Sequence, residues 1–169
     1  MFAPIAGGPT LSDFDAFYAA TAPSIVRQMH AFTGDLAEAQ DCVQEAYARA
    51  WQRWPRLREY DVPAAWVRQV ACRLAVSRFR RAQVGRGLLP RTQVVPALDP
   101  NRVALIAALK QIPEAQRLAI VLHHVADLTV EQVATETGVP VGTVKARLSR
   151  GRAALALLLS DSSEGASRG

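Results

Sequence analysis

Residues 128–152 read LTVEQVATETGVPVGTVKARLSRGR, and this stretch predicts two short helices joined by a tight turn. Thr129 stands where a helix cap is needed, with Gln132 three residues on to complete a capping box. Val130, Val133 and Ala134 form an apolar stripe at helical spacing. Gly138 falls where a left-handed residue ends the first helix, and Pro140 opens the second, where no amide hydrogen is required. Along that second helix Val144, Leu148, Gly151 and Leu155 share one face. The opposite side carries Lys145, Ser149, Arg150 and Arg152. Ala134 is small enough for two helices to cross closely, and Val144 and Leu148 fill the angle between them. This is the helix-turn-helix pattern, whose second helix enters the DNA major groove. A structural hairpin would satisfy the spacing equally well, but Lys145, Arg147, Arg150 and Arg152 occur with no acid among them, whereas a merely solvated face mixes signs.

Working outward, the 169 residues allow one domain or two small ones. Half the chain is apolar, strand-type alternation is missing, and Ala, Leu, Val, Arg and Gln dominate; the fold class is all-α. The net charge of +5 is moderate, but the basic residues gather in two places, which favours a polyanionic partner over an acidic small molecule. Cys42 and Cys72 lack metal-ligand spacing and fall at apolar helical positions, so reduced, buried thiols are expected. His30, His123 and His124 have no clustered carboxylate or thiol to make a metal site. No cofactor is expected. The opening residues lack the pattern of a signal peptide and no later run is long enough to cross a bilayer, so a cytoplasmic protein without membrane insertion is expected.

Toward the N-terminus, a mobile tail (1–11) precedes a helix running from Ser12 to Gly34, with Phe14, Phe17, Tyr18, Ile25, Val26, Met29 and Phe32 on its apolar face and Pro23 as a kink or break. Asp35 and Glu38 open a second helix closed by Pro55. Its apolar side is Leu36, Ala39, Val43, Ala46, Tyr47, Ala50 and Trp54. A loop then leads to a third helix from Pro63, which buries Trp66, Val70 and Leu74 and exposes Arg68, Arg73, Arg78, Arg80 and Arg81, again with no acid. An acid-free arginine row headed by tryptophan suits stacking and phosphate contact. Residues 84–101 are rich in glycine and proline and read as a flexible linker. This divides the chain into a helical domain at 12–83 and a helix-turn-helix domain at 102–159, in which a helix over 102–111 and another from Pro113 to Val125 precede the motif; residues 160–169 are a polar tail.

The order of these parts resembles the extracytoplasmic-function (ECF) sigma factors of bacterial RNA polymerase, group 4 of the sigma-70 superfamily. DCVQEAYARAW, AWVRQVACRLAVSRFRR and VPVGTVKARLSRGRAAL carry the likeness, which covers roughly residues 12–158. The chain resembles the SigE-like members of the family, and alanine, arginine and valine usage fits an actinobacterial source. The resemblance implies a winged-helix-like four-helix C-terminal domain and a non-enzymatic protein. It further implies that Asp41, Gln44, Glu45, Arg49 and Trp51 dock on the clamp helices of core RNA polymerase's largest subunit, with a further contact to the flap of the second-largest. Arg58, Tyr60, Trp66, Arg68, Arg73, Arg78, Arg80 and Arg81 would bind and open the minus-ten promoter DNA. Lys145, Ser149 and Arg150 would read base edges of the minus-thirty-five element, with Ala146 allowing close approach to the groove and Thr143, Arg147 and Arg152 on phosphates. An anti-sigma factor would hold the protein inactive. The linker departs from the family: Asp99 is its one acid, against Arg86 and Arg91. Two other readings compete, a stand-alone helix-turn-helix regulator, which has no need of DCVQEAYARAW, and a nuclease built on His123, His124 and Asp127, which lack a second carboxylate cluster.

Overall fold

The computed structural model describes residues 11–85 and 99–166, residues 162–166 as backbone alone. The expected linker's centre (86–98, with Arg86 and Arg91), the first ten residues and residues 167–169 lie outside the described residues. Everything regular among the described residues is helical. The N-terminal lobe comprises α1 (Leu11–Thr33), α2 (Leu36–Gln52), a single turn α3 (Trp54–Leu57) and α4 (Pro63–Val84). The C-terminal lobe comprises α5 (Pro100–Gln111), α6 (Glu114–Ile120) running into a π-helical turn (Val121–Val125), α7 (Val130–Thr137) and α8 (Val141–Ala166). No helix among the described residues is long and apolar enough to cross a membrane.

The apolar periodicities map onto the core. Ile25, Met29 and Phe32 of α1 pack with Val43, Ala46, Tyr47 and Ala50 of α2 and Val67 and Ala71 of α4, all buried. Asp35 caps α2 by accepting from the Glu38 amide at 3.1 Å. Asp99 caps α5 through the Asn101 amide. Four local expectations are corrected. Pro23 neither breaks nor divides α1, which is continuous; Pro23 and Ala19 are exposed, so the carbonyl the proline leaves unbonded can turn to water. Pro55 opens α3 rather than closing α2, since a proline in a first turn gives up no bond. Trp66 and Leu74 are half-buried rather than buried. The tail expected from residue 160 continues as α8 to Ala166.

The lobes are packed together. α1 lies on α5 and on the π turn, and one continuous apolar cluster runs from Met29 and Phe32 through Leu109, Ile112 and Val121 to Leu148. Elsewhere α4 faces α6 and α7 across a groove of about 970 Å³ lined by Cys72, Arg73, Val76, Leu118, Val139 and Arg147, among others. Long polar side chains bridge the boundary. Arg68 of α4 and Glu136 of α7 form a forked ion pair, Nε to Oε2 at 3.1 Å and Nη2 to Oε1, with side chains 11% and 8% exposed. Arg80 reaches Glu114 at 3.2 Å. In the other direction Arg117 of α6 donates to the carbonyl of Phe32 at 3.1 Å.

Candidate nucleic-acid and polymerase interfaces

The helix-turn-helix forms from the residues that the sequence marks for it. Thr129 Oγ1 accepts from the Gln132 amide at 3.2 Å, and the Thr129 amide donates to Gln132 Oε1 at 2.8 Å, completing the capping box. Gly138 ends α7 at φ 68°, and its amide and that of Val139 both donate to Ala134. Val144, Leu148 and Leu155 are buried. Gly151 sits where α8 crosses α6: a β-carbon there would lie 2.9 Å from Ile120 Cδ1, so the close approach depends on its missing side chain. With that face locked inward, Lys145, Ser149, Arg150 and Arg152 are exposed and Thr143, Ala146 and Arg147 half-buried. Neither Lys145, Arg150 nor Arg152 forms an ion pair with a described residue. Exposed cations of α8 that form no ion pair among the described residues are the kind of group that phosphates and base edges accept.

The arginine row of α4 is divided. Arg73 and Arg81 are exposed, Arg81 donating to Ser77 Oγ at 2.9 Å. Arg80 is exposed but bridged to Glu114. Arg78 is half-buried and reaches back to α2, to Glu45 at 2.9 Å and Glu38 at 3.4 Å. Arg68 contradicts the expectation that it stands exposed: it is buried, 9% accessible, and held by Glu136. The row has no acid within its own helix, yet the acids arrive from α2, α6 and α7. Ahead of the row Trp66 carries Arg53 over its ring at 6.0 Å, Tyr60 is exposed, and Arg58 lies 3.7 Å from Asp13.

On α2, Asp41, Gln44 and Arg49 are exposed and Glu45 half-buried. Glu45 is shared between Arg49 on its own helix, at 2.6 Å, and Arg78. One turn on, Trp51 is 43% exposed and rests edge-on against Phe14, centroids 5.1 Å apart. Phe14 and Phe17 also contact Trp54, and Tyr47 shares a 2.6 Å hydrogen bond with Thr21 beneath them. This aromatic nest fixes the end of α2 against α1, so the polar face beyond it is presented on a rigid support.

Cys42 and Cys72 are both buried free thiols, as expected. Burial pushes Cys42 up to about 11 and Cys72 up to about 12, so neither supplies a thiolate near neutral pH. His123 donates from Nδ1 to the Leu128 carbonyl at 2.7 Å, closing the turn into α7. His124 is exposed overall, its pKa lowered by partial desolvation first and then by His123 and Arg152. Among the described residues no group of three histidines, cysteines or carboxylates is placed to hold a metal ion. The residues missed by sequence reasoning are the ones that cross between lobes, Glu136, Glu114 and Arg117. Arg117 alone carries a signal of its kind, a cation in a helix otherwise facing the core.

Comparison with known proteins adds the following. The family model described as Sigma-70 region 2 matches residues 17–84, and that described as Sigma-70, region 4 matches residues 102–155. The chain is 32% identical over 159 residues to the ECF RNA polymerase sigma factor SigL of Mycobacterium tuberculosis (strain ATCC 25618 / H37Rv), covering 86% of this chain and 88% of that one. It is 27% identical over 148 residues to the RNA polymerase sigma-E factor of Streptomyces coelicolor, covering 85% and 84%. Among solved structures, the sigma factor RpoE in complex with the anti-sigma factor NepR from Bartonella quintana shares the fold with a TM-score of 0.75 at 24% identity, over 89% of this chain and 98% of that one. CnrH in complex with the cytosolic domain of CnrY gives a TM-score of 0.67 at 21% identity, over 90% and 91%.

Proposed function

The chain belongs to the ECF sigma factors of bacterial RNA polymerase, and we propose that its two lobes divide the work of that family between separately placed surfaces. As a sigma factor it directs core polymerase to promoters and starts transcription there. The face of α2 carrying Asp41, Gln44 and Glu45, flanked by Arg49 and Trp51, is assigned to the clamp helices of the largest subunit. Carboxylate and amide acceptors around an exposed aromatic suit a basic helical partner. Arg58, Tyr60, Trp66, Arg73, Arg78, Arg80 and Arg81 are assigned to the minus-ten region, with Arg68 joining them once it is released from Glu136. A base lifted from the stack needs an aromatic surface and its strand needs cations, and Tyr60, Trp66 and this row provide both types. Lys145, Ala146, Ser149 and Arg150 are assigned to base edges of the minus-thirty-five element, and Thr143, Arg147 and Arg152 to its backbone. The second-largest subunit's flap is the further polymerase contact of the C-terminal lobe, and cytoplasmic location follows from the polymerase partner.

The observation that carries the reading is that Lys145, Arg150 and Arg152 of α8 are exposed and form no ion pair among the described residues, in a chain that also presents Asp41 and Gln44 on a different lobe. The groove between α4, α6 and α7, rimmed by Arg73, Arg81 and Arg147, is the place we assign to an anti-sigma segment with acidic and apolar side chains. Run-off transcription with purified core polymerase tests the whole. Promoter-dependent transcripts are expected. Specific duplex binding with no transcript from any template would favour a stand-alone regulator instead.

A further inference from the structure

Arg78 leaves the α4 row and joins the polar face of α2. Its Nη2 donates to Glu45 Oε2 at 2.9 Å and its Nη1 to Glu38 Oε1 at 3.4 Å. Glu45 offers its other oxygen, Oε1, to Nη2 of Arg49 at 2.6 Å. Glu38, Glu45 and Arg49 follow one another by two turns and then one, so they stand in a single row along α2. Asp41 and Gln44 flank that row and are exposed. Glu38, Arg78, Glu45 and Arg49 thus alternate in sign, and their formal charges cancel. Two carboxylates within reach of one guanidinium repel an incoming phosphate, which makes this corner a poor seat for the promoter backbone. The side chains are 31% to 50% exposed, so the pairs add little to the stability of the fold. What such a network fixes is the position of its members.

We propose that Arg78 is a positioning residue for the polymerase-binding face of α2, holding Glu45 and through it Arg49 in the orientation that docks, and that it makes no contact with promoter DNA. The inference rests on the assignment of α2 to the polymerase, and it narrows the set of arginines assigned to the minus-ten strand. Glu38, Asp41 and Glu45 succeed one another at the spacings where like charges on a helix repel. Arg78 arrives from another helix and offsets that repulsion, which lets three carboxylates share one side of α2. Each Glu45 oxygen is already engaged, so this side chain acts as a bracket between two arginines. Arg49 stands exposed with N–H groups beyond the one bonded to Glu45, ready for an acceptor on the polymerase. Asp41 forms no ion pair among the described residues and is ready for a cation there. Side chains ordered before docking lose less freedom in the complex. A lysine at position 78 would keep the charge without the planar fork that spans two carboxylates.

The test uses the full chain with Arg78→Met, Arg78→Lys, Glu45→Gln and the double variant of Arg78→Met with Glu45→Gln. Arg73→Met, at an exposed arginine of the same helix, is the reference for a cation that meets DNA. Labelled protein is titrated against purified core polymerase, and the saturated complex is then titrated against a fluorescein-labelled forked duplex of mixed sequence. Arg78→Met is expected to weaken core association about three- to tenfold, with part of the loss recovered by Arg78→Lys. DNA affinity of the saturated complex should stay at the wild-type value in both. Arg73→Met should show the reverse, weakened DNA binding with core association unchanged. Adding Glu45→Gln to Arg78→Met should cost less than Glu45→Gln alone, because the two act through one contact. A DNA defect in Arg78→Met like that of Arg73→Met, unchanged core association, or fully additive losses would each overturn the proposal. Should Arg78→Met fail to fold by circular dichroism, Arg78→Lys decides by the same split between core and DNA. Failure of the docking assignment shows separately, as wild-type core association in Asp41→Ala.

Discussion

Arg117 and Phe32, 85 positions apart, are joined twice: the guanidinium donates to the Phe32 carbonyl at 3.1 Å and also lies over its ring at 5.7 Å. Its other nitrogen donates to the carbonyls of Lys110 and Ile112 at the end of α5, and Phe79 covers the remaining face at 5.1 Å. One cation thus closes the C-terminal ends of two helices from different lobes, where the helix dipoles favour positive charge. Arg117→Met keeps much of the volume and orphans these carbonyls. It is expected to cost about 2–4 kcal/mol in urea unfolding. Arg117→Lys should recover little of that, because an ammonium cannot match the planar fork. A loss under about 0.5 kcal/mol, the scale of an ordinary surface change, would mean that Arg117 is dispensable.

At Gly138 the cost of a side chain is purely conformational. Its φ is 68° and nothing lies within 4 Å of where a β-carbon would stand. Gly138→Ala should therefore lose about 1–2 kcal/mol, and Gly138→Asn less, since asparagine tolerates the left-handed region. Gly151 behaves differently. Gly151→Leu overfills the crossing with Ile120 and should lose about 1–3 kcal/mol. Thermal melts of the three variants should rank Asn, Ala, Leu in order of increasing damage; Asn as harmful as Ala would contradict a purely backbone cause.

The division between lobes predicts two separable defects. Arg150→Ala should weaken minus-thirty-five recognition by about 1–3 kcal/mol and relax sequence preference there. Lys145→Ala should behave similarly. Asp41→Ala and Gln44→Ala should weaken association with core polymerase and leave DNA binding by the free protein unchanged. Fluorescence titrations against core polymerase and against labelled promoter duplex measure the two separately. Equal effects of both kinds of change on polymerase association would refute the assignment.

His30 predicts how stability responds to acid. It is buried on α1, and its pKa is lowered by burial first and by Arg102, with Asp35 opposing and Lys110 adding to the fall. The neutral ring is the folded form, so the unfolded chain takes up a proton first. Stability from this group is complete above the ordinary value of 6.5 and is lost as pH falls through the lowered one. The midpoint of urea unfolding should drop as pH falls below the ordinary histidine value, and His30→Gln should flatten part of that drop. A variant with the wild-type pH slope would remove His30 from the account.

Legibility in the sequence followed the range of the interaction. Thr129, Gln132 and Gly138 act within one turn of chain, so their roles could be read directly, as could the inward set Val144, Leu148 and Leu155. The exposure of Lys145, Ser149 and Arg150 followed from the same period. Arg68 could not be placed that way. Its neighbours in sequence share its charge or carry none, and its partner is 68 positions away on α7. Arg78 likewise finds its acids on α2. Reading charge along single helices thus locates a basic face but misses the carboxylates that tertiary packing brings to it. Trp66 showed the same limit: its ring is half-buried and is overlain by Arg53, from the turn between α2 and α3.

The π turn at Val121–Val125 carries one residue more than an ordinary helix would need, its final bond running from the Ala126 amide back five positions to Val121. Asp127, at φ 55°, then reverses the chain into Leu128. Removing a single residue from this turn would leave hydrophobicity and charge almost untouched but rotate everything downstream by roughly 100° about the helix axis. The reading head would be intact in every side chain and aimed at the wrong quadrant, which makes this surplus residue the protein's angular setting.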